Sequence, residues 1–286
     1  MASAQYTVFL GCIVDTPVMG QLRVRTNSAL GVDRSTGRII GVTEQPELSS
    51  AELVSAWVGR TVASEAVESV SLTADQFLMP GLIDTHTHAP HRTIMAHCVH
   101  LSDSEIALMR ESKASISHCP NSNFSLGSGI ADIRRFISEG IPVGLGTDVG
   151  GGYTPSILDA MRMAAAANRA LIAFRRDSSD SQPAQGSSDK PLEAAEALFL
   201  ATQGGARVMG MDEQLGSLDA NKLFDAIVVD MNAPNSPVPP VDATPAVRDA
   251  ECPDEAWRLR LEQFVFLADD RNISRVYVNG RLIHST

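Results

Sequence analysis

Four apolar segments in the middle of this 286-residue chain each run straight into a cluster of polar residues, and this pattern constrains the fold more than any other feature. They are FLMPGLIDTHTH from Phe77, RTIMAHCVHLS from Arg92, ASISHCPNSN from Ala114 and IPVGLGTDVGG from Ile141. Helix-like stretches follow the last three: DSEIALMRESK, IADIRRFISEG and SILDAMRMAAAANRALIAF. Ser102 or Asp103 is placed to cap the first of these helices. Strand-then-helix repetition is the pattern of a parallel sheet or a βα barrel. Barrel enzymes put their chemistry at the ends of such strands.

The two ends of the chain read differently. QYTVFLGCIVD and GRIIGVTE carry the β-branched and aromatic bias of strands, with DRSTGR as a turn between them, and residues 50–70 read as a helix. Residues 223–231, LFDAIVVDM, and 274–285, SRVYVNGRLIHS, are again strand-like, the latter with Asn279-Gly280 as a hairpin turn. The expected architecture is therefore α/β. A barrel portion over 77–211 sits between residues 1–76 and 212–286, which together build a small β-sandwich-like domain. Residues 176–190 are polar and rich in Ser, with Pro and Gly, and read as a flexible surface loop. Residues 232–254 hold six prolines and read as an irregular excursion before the helix-like EAWRLRLEQFVFL.

A 44 % hydrophobic composition suits a buried core. Asp and Glu outnumber Lys and Arg by 34 to 23, for a net charge of −11. An acidic surface repels phosphates and anionic headgroups, so no nucleic acid and no membrane is expected as a partner. The start, MASAQYTVFLGCIVDTP, has no basic region ahead of an apolar block, and no run of about 18 apolar residues occurs. A cytoplasmic location is expected. Cys12, Cys98, Cys119 and Cys252 form no CxxC pair and read as reduced thiols. Cys98 and Cys119 each follow a histidine, so in a strand they point away from whatever the histidines face.

The chemistry-bearing residues lie at the ends of the apolar segments. His86-Thr87-His88 puts two imidazoles on one side of a strand. His97, His118 and Asp148 end other segments. Any one of these residues alone reads as an ordinary strand cap. The HTH, MAH and GTD clusters together read as a metal site. Gly150-Gly151-Gly152 suits a tight turn after Asp148 and has neither phosphate-loop spacing.

MPGLIDTHTHAP, MAHCVHLSDSEI, ASISHCPNSNFSLGSG and IPVGLGTDVGGGYTPSILDAMRMA resemble the metal-dependent aminohydrolases of the amidohydrolase superfamily, the guanine deaminases in particular. LGSLDANKLFDAIVVD and LADDRNISRVYVNGRLI are similar to the closing β-domain of those enzymes. HCPNSN and GTD are shared with cytosine and s-triazine aminohydrolases. The longer GLGTDVGGGYTPSILDAMR favours the guanine type. The resemblance implies hydrolytic deamination of guanine to xanthine and ammonia on one Zn²⁺ per chain, with a small-molecule purine substrate and a homodimeric assembly. It implies His86, His88, His97 and Asp148 as metal ligands. Asp148 would act as base toward the zinc-activated water, with His97 facing the metal or the water. His118 and Asn121 would lie beside the substrate or support the ligands.

The chain also departs from that pattern. A complete barrel takes about 250 residues, and Phe77 to Met211 is far shorter. His88 and His97 are nine positions apart, too close for a helix and return strand, which need a dozen or more residues. About four of eight barrel units are therefore expected. The family's HxSE motif, its base-gripping Arg-Phe pair and its glutamine after HxH are missing, and His91 stands at the glutamine position. Glu105 and Glu139 lie on helix patterns and are poor substitutes for the missing glutamate. A chain so shortened is expected either to retain weakened deaminase chemistry or to act through protein contacts at an exposed sheet edge.

Overall fold

Apolar and aromatic residues near the N-terminus build three strands, β1 (Tyr6–Val18), β2 (Gln21–Asp33) and β3 (Arg38–Glu44). The computed structural model describes residues 4–86, 93–177, 189–240 and 253–286. Cys252, His88 and His91 lie outside the described residues. The chain forms two units. One comprises Met1–Pro17, Leu22–Gly81 and Glu213–Thr286; the other comprises Val18–Gln21 and Leu82–Asp212.

In the first unit, α1 (Ser50–Val58) starts at Ser49, whose side chain and Glu52 form a reciprocal cap. It stops at Gly59, which adopts a left-handed φ of 70°. The rest of the expected 50–70 helix is instead a short 3-10 turn (Ser64–Ala66) and β4 (Val67–Ser71), parallel to β1. The remaining strands are β5 (Gln76–Pro80), β9 (Ala226–Asp230), β10 (Ile273–Val278) and β11 (Arg281–Ser285). They complete one sheet in the order β11-β10-β9-β5-β1-β2-β3, with β4 also on β1. The sheet is curled. The rings of Phe9 on β1 and Tyr277 on β10 are 5.2 Å apart although two strands separate them in the sheet. These rings, with Phe224, Leu30, Ile39 and Val228, fill the core. A single curled sheet thus encloses a core of the kind expected between two layers.

β2 holds Arg23 and Arg25, unusual for a partly buried strand. Both reach Asp15, which is fully buried: Arg23 Nε donates at 2.7 Å and Arg25 Nη2 at 3.2 Å. The backbone N–H of Leu218 donates to the same carboxylate at 3.1 Å.

The second unit contains a parallel three-stranded sheet, β6 (Ile94–Ala96), β7 (Ser115–His118) and β8 (Val143–Leu145), in that order. Its helices are α2 (Asp103–Glu111), α3 (Pro120–Ser125), α4 (Ile133–Ser138), α5 (Ile157–Asp177), α6 (Ala194–Ala201) and α7 (Gln203–Met209). A last helix, α8 (Pro253–Leu267), belongs to the first unit. Ser102 caps α2 with Glu105 as its reciprocal partner.

The segment FLMPGLIDTHTH does not form one strand. Its first part is β5, antiparallel to β9 in the first unit. Beyond Gly81 the chain joins the second unit irregularly. Ile83 N donates to Ala201 O at 2.8 Å, and Thr85 N donates to Leu145 O on β8 at 2.9 Å. Among the described residues, the parallel sheet therefore has three paired strands, with this segment alongside β8.

A buried ion pair fastens α4 to α6. Arg134 Nη1 donates to Glu196 Oε1 at 2.7 Å and Nη2 to Oε2 at 2.5 Å, and both side chains are about a tenth exposed or less. Burial alone would raise the Glu196 carboxyl, but the hydrogen bonds and charge of Arg134 leave it lowered. Glu196→Ala leaves the buried guanidinium bonded to the carbonyls of Lys190 and Pro191 but without its counter-charge, and is expected to cost about 3–5 kcal/mol. Urea unfolding of the two proteins measures this directly, and a loss below about 1 kcal/mol contradicts the assignment.

Candidate metal centre

Two imidazoles and one carboxylate from three separate segments converge in the second unit. His86 Nε2 is 3.6 Å from Asp148 Oδ1, and His97 Nε2 is 3.7 Å from Asp148 Oδ2. The ligand atoms of the three residues all lie within 4.8 Å of one another. Zinc bonds to nitrogen and carboxylate oxygen at about 2.0–2.2 Å, which puts ligand atoms on one tetrahedral ion about 3.3–3.5 Å apart. The donor set, and the 3.6 and 3.7 Å spacings of each imidazole from the carboxylate, suit a divalent ion with an open position. The side chains are 36 %, 36 % and 21 % exposed, so an ion and a small substrate have access.

The backbone is bent to make this meeting. His97 and Cys98 have φ of 68° and 52°, and Asp148 has φ of 46°. Non-glycine residues in the left-handed region are uncommon and tend to cluster at functional sites. Asp84 links the two sides: its Oδ1 accepts from His86 N at 3.0 Å and Thr147 N at 3.2 Å, and its Oδ2 accepts from Thr147 Oγ1 at 2.5 Å. Gly146 must lack a side chain, because a Cβ there would come within 2.5 Å of Ser117 Oγ and 2.8 Å of His86 Cβ.

Next to the centre, Ser122 Oγ donates to Asp148 Oδ2 at 2.5 Å, and His97 Nδ1 is 3.0 Å from Asn123 Oδ1. Within HCPNSN the sequence points to His118 and Asn121. His118 is buried with Nδ1 unpartnered by the protein. Asn121 reaches Asp159 on α5, its Nδ2 donating to Oδ2 at 3.0 Å. Ser122, Asn123, Asp84 and Thr147 were not singled out. For Asp84 and Thr147 the available signal was a position two residues or one residue from an expected ligand, His86 or Asp148; Ser122 and Asn123 only follow Asn121 in the HCPNSN motif.

Glu105 and Glu139 stay away from the centre. Glu105 caps α2, and Glu139 pairs with Arg110 at 3.0 Å. The thiols are not in the ligand group. Burial pushes Cys98 to about 11 and Cys119 to about 12, so both stay protonated at neutral pH. His100 bonds Ser128 O at 3.0 Å, and His284 is exposed on β11.

Burial first, and the charge of His97 second, lower His118 to about 4. The unfolded imidazole protonates near pH 6.5. Between these values the unfolded chain holds the extra proton, so stability falls as pH drops from about 6.5 toward 4, by up to about 1.4 kcal/mol per unit. NMR titration should show the His118 ring neutral at pH 5. A midpoint near 6.5 contradicts the buried, unpartnered environment.

A sequence profile of the amidohydrolase family matches residues 90–283. A probable guanine deaminase of Schizosaccharomyces pombe is 41 % identical over 196 residues, 67 % of this chain and 33 % of the relative. The guanine deaminase of Dictyostelium discoideum is 38 % identical over 213 residues, 72 % of this chain and 42 % of the relative. The chain thus spans less than half the length of these curated relatives. A crystal structure of guanine deaminase from C. acetobutylicum, with guanine bound in its active site, aligns with a TM-score of 0.71 at 17 % identity, over 98 % of this chain and 100 % of that one. The fold is shared with that mixed α/β enzyme, and no helix among the described residues is long and apolar enough to cross a membrane. With the profile running over most of its length, the chain belongs to the amidohydrolase family.

Proposed function

We propose that this chain derives from a guanine deaminase and that its chemistry is zinc-dependent hydrolysis of guanine to xanthine and ammonia. The convergence of His86, His97 and Asp148 within 4.8 Å carries the reading. The identity to guanine deaminases of two organisms supports the choice of base. In this reading residues 77–211 are the catalytic part, with about four of eight barrel units, and 1–76 with 212–286 are the β-domain. One zinc per chain would be held by His86, His97 and Asp148, with His88 as the further ligand that the HxH pattern supplies. A bound zinc would supply Lewis acidity and a water-derived nucleophile near neutral pH. Asp148 takes up a proton at a carboxylate oxygen and returns it toward the departing amine. His97 faces the same space, and His118 and Asn121 support the side where the purine lies.

The absent HxSE motif bears on rate. Loss of a proton-shuttling acid typically costs about 10²–10⁴-fold. It also favours a second reading, in which the chain binds zinc without turnover and acts by pairing with another copy or a longer relative. β6 is the outer strand of its sheet among the described residues, and such an edge offers backbone groups for pairing.

Purified protein with added zinc and guanine tests both readings, with xanthine formation as the readout. The expected result is one zinc per chain and turnover about 10²–10⁴-fold below a complete relative, abolished by Asp148→Asn. Zinc binding without turnover selects the second reading. Absence of zinc binding, in a protein that is folded, overturns both.

A further inference from the structure

The residues flanking the centre carry an arrangement that the proposed ligands alone do not require. Asn123 is 2 % exposed, yet its Nδ2 has no protein partner. Its polar side-chain contact is the one at 3.0 Å between Oδ1 and His97 Nδ1. Burying an amide with one end unsatisfied is unfavourable compared with an apolar residue of similar size. The neighbouring Ser122 is also fully buried, and its hydroxyl is given to Asp148 Oδ2. Gly151 leaves room for that bond: a Cβ there would stand 2.6 Å from Asp148 Oδ2 and 3.1 Å from Ser122 Oγ. Two consecutive residues of the six-residue α3 thus hold two separate members of the centre.

We infer that Ser122 and Asn123 are positioning residues, with Asn123 fixing His97 as the tautomer that carries its hydrogen on Nδ1, and Ser122 fixing the plane of the Asp148 carboxylate. A carboxamide oxygen only accepts, so with Oδ1 of Asn123 turned to the ring, Nδ1 is the donor. A neutral ring has a single N–H, so Nε2 is left with its lone pair. Nε2 is the atom that points at Asp148, 3.7 Å from Oδ2. The opposite tautomer would put a hydrogen where a ligand lone pair or a proton acceptor is needed. Ser122, by occupying one lone pair of Oδ2, stops the carboxylate from swinging and keeps Oδ1 toward His86. The tautomer assignment stands on the metal-free chain. Only its consequence for zinc rests on the function proposed above.

Long-range ¹H–¹⁵N NMR of histidine-labelled, metal-free protein at pH 8 reads the tautomer directly. The wild type should show His97 protonated on Nδ1. Asn123→Leu should shift it to a mixture or to Nε2–H. Asn123→Asp, which restores an acceptor, should return it to Nδ1–H. In chelator competition, Asn123→Leu and Ser122→Ala should weaken zinc by about 10–100-fold, the range for such supporting bonds. Nε2–H in the wild type, or an unchanged tautomer in Asn123→Leu, overturns the inference. If Asn123→Leu does not fold, the wild-type and Asn123→Asp spectra decide it. A wild type with the Nδ1–H tautomer that binds no zinc leaves the tautomer assignment standing and removes the metal reading alone.

Discussion

The carboxylate of Asp84 is the link on which the candidate centre depends. It accepts from the backbone of His86 on one side and from both the backbone and hydroxyl of Thr147 on the other. Those two residues are far apart in sequence, and Thr147 immediately precedes Asp148. A single acid therefore sets the distance between one imidazole and the site carboxylate. Hydrogen bonds to charged groups are roughly twice as strong as neutral ones, which suits a fastening in an exposed position. Thr85 reinforces it from beneath, its hydroxyl lying 2.8 Å from both Ser117 Oγ and Leu145 O.

Much of the fold could be read from the residues, and the misses have physical reasons. The helix after MAHCVHLS was readable from Ser102 and the Glu three positions later, the reciprocal cap that the structure displays. The hairpin at Asn279-Gly280 was readable because both residues take positive φ, 47° and 72°. β2 was not named because Arg23 and Arg25 break the apolar pattern, and only the fold shows that Asp15 waits for them. Helices α6 and α7 escaped for two other reasons. α6 is buried on nearly every side, so no amphipathic period exists to detect. α7 contains Gly204 and Gly205, poor helix formers that are present because a Cβ would strike Phe199 O at 2.9 Å or Ile83 Cβ at 3.0 Å.

The site divides in the same way. His86, His97 and Asp148 stood out because imidazole and carboxylate at the ends of apolar segments have few bland explanations when they occur together. Ser122 and Asn123 did not, since serine and asparagine after a strand usually only begin a helix or turn. Their significance comes from distances to side chains 26 positions away in opposite directions along the chain, which no local pattern records. The split of FLMPGLIDTHTH was hidden for a related reason. Its apolar run is continuous, and Pro80-Gly81, where β5 ends, is equally compatible with a strand that continues.

The left-handed backbone at His97 and Asp148 has a consequence for how such a chain would change over generations. Each conformation costs of order 1–3 kcal/mol, and glycine at either position would recover part of that cost while deleting a ligand. Stability and the centre therefore pull the same two codons in opposite directions. In a lineage where the centre no longer mattered, random substitution would erode these positions before the buried core. Their retention as histidine and aspartate among close relatives of this chain would be a historical record of continued use, written in backbone strain.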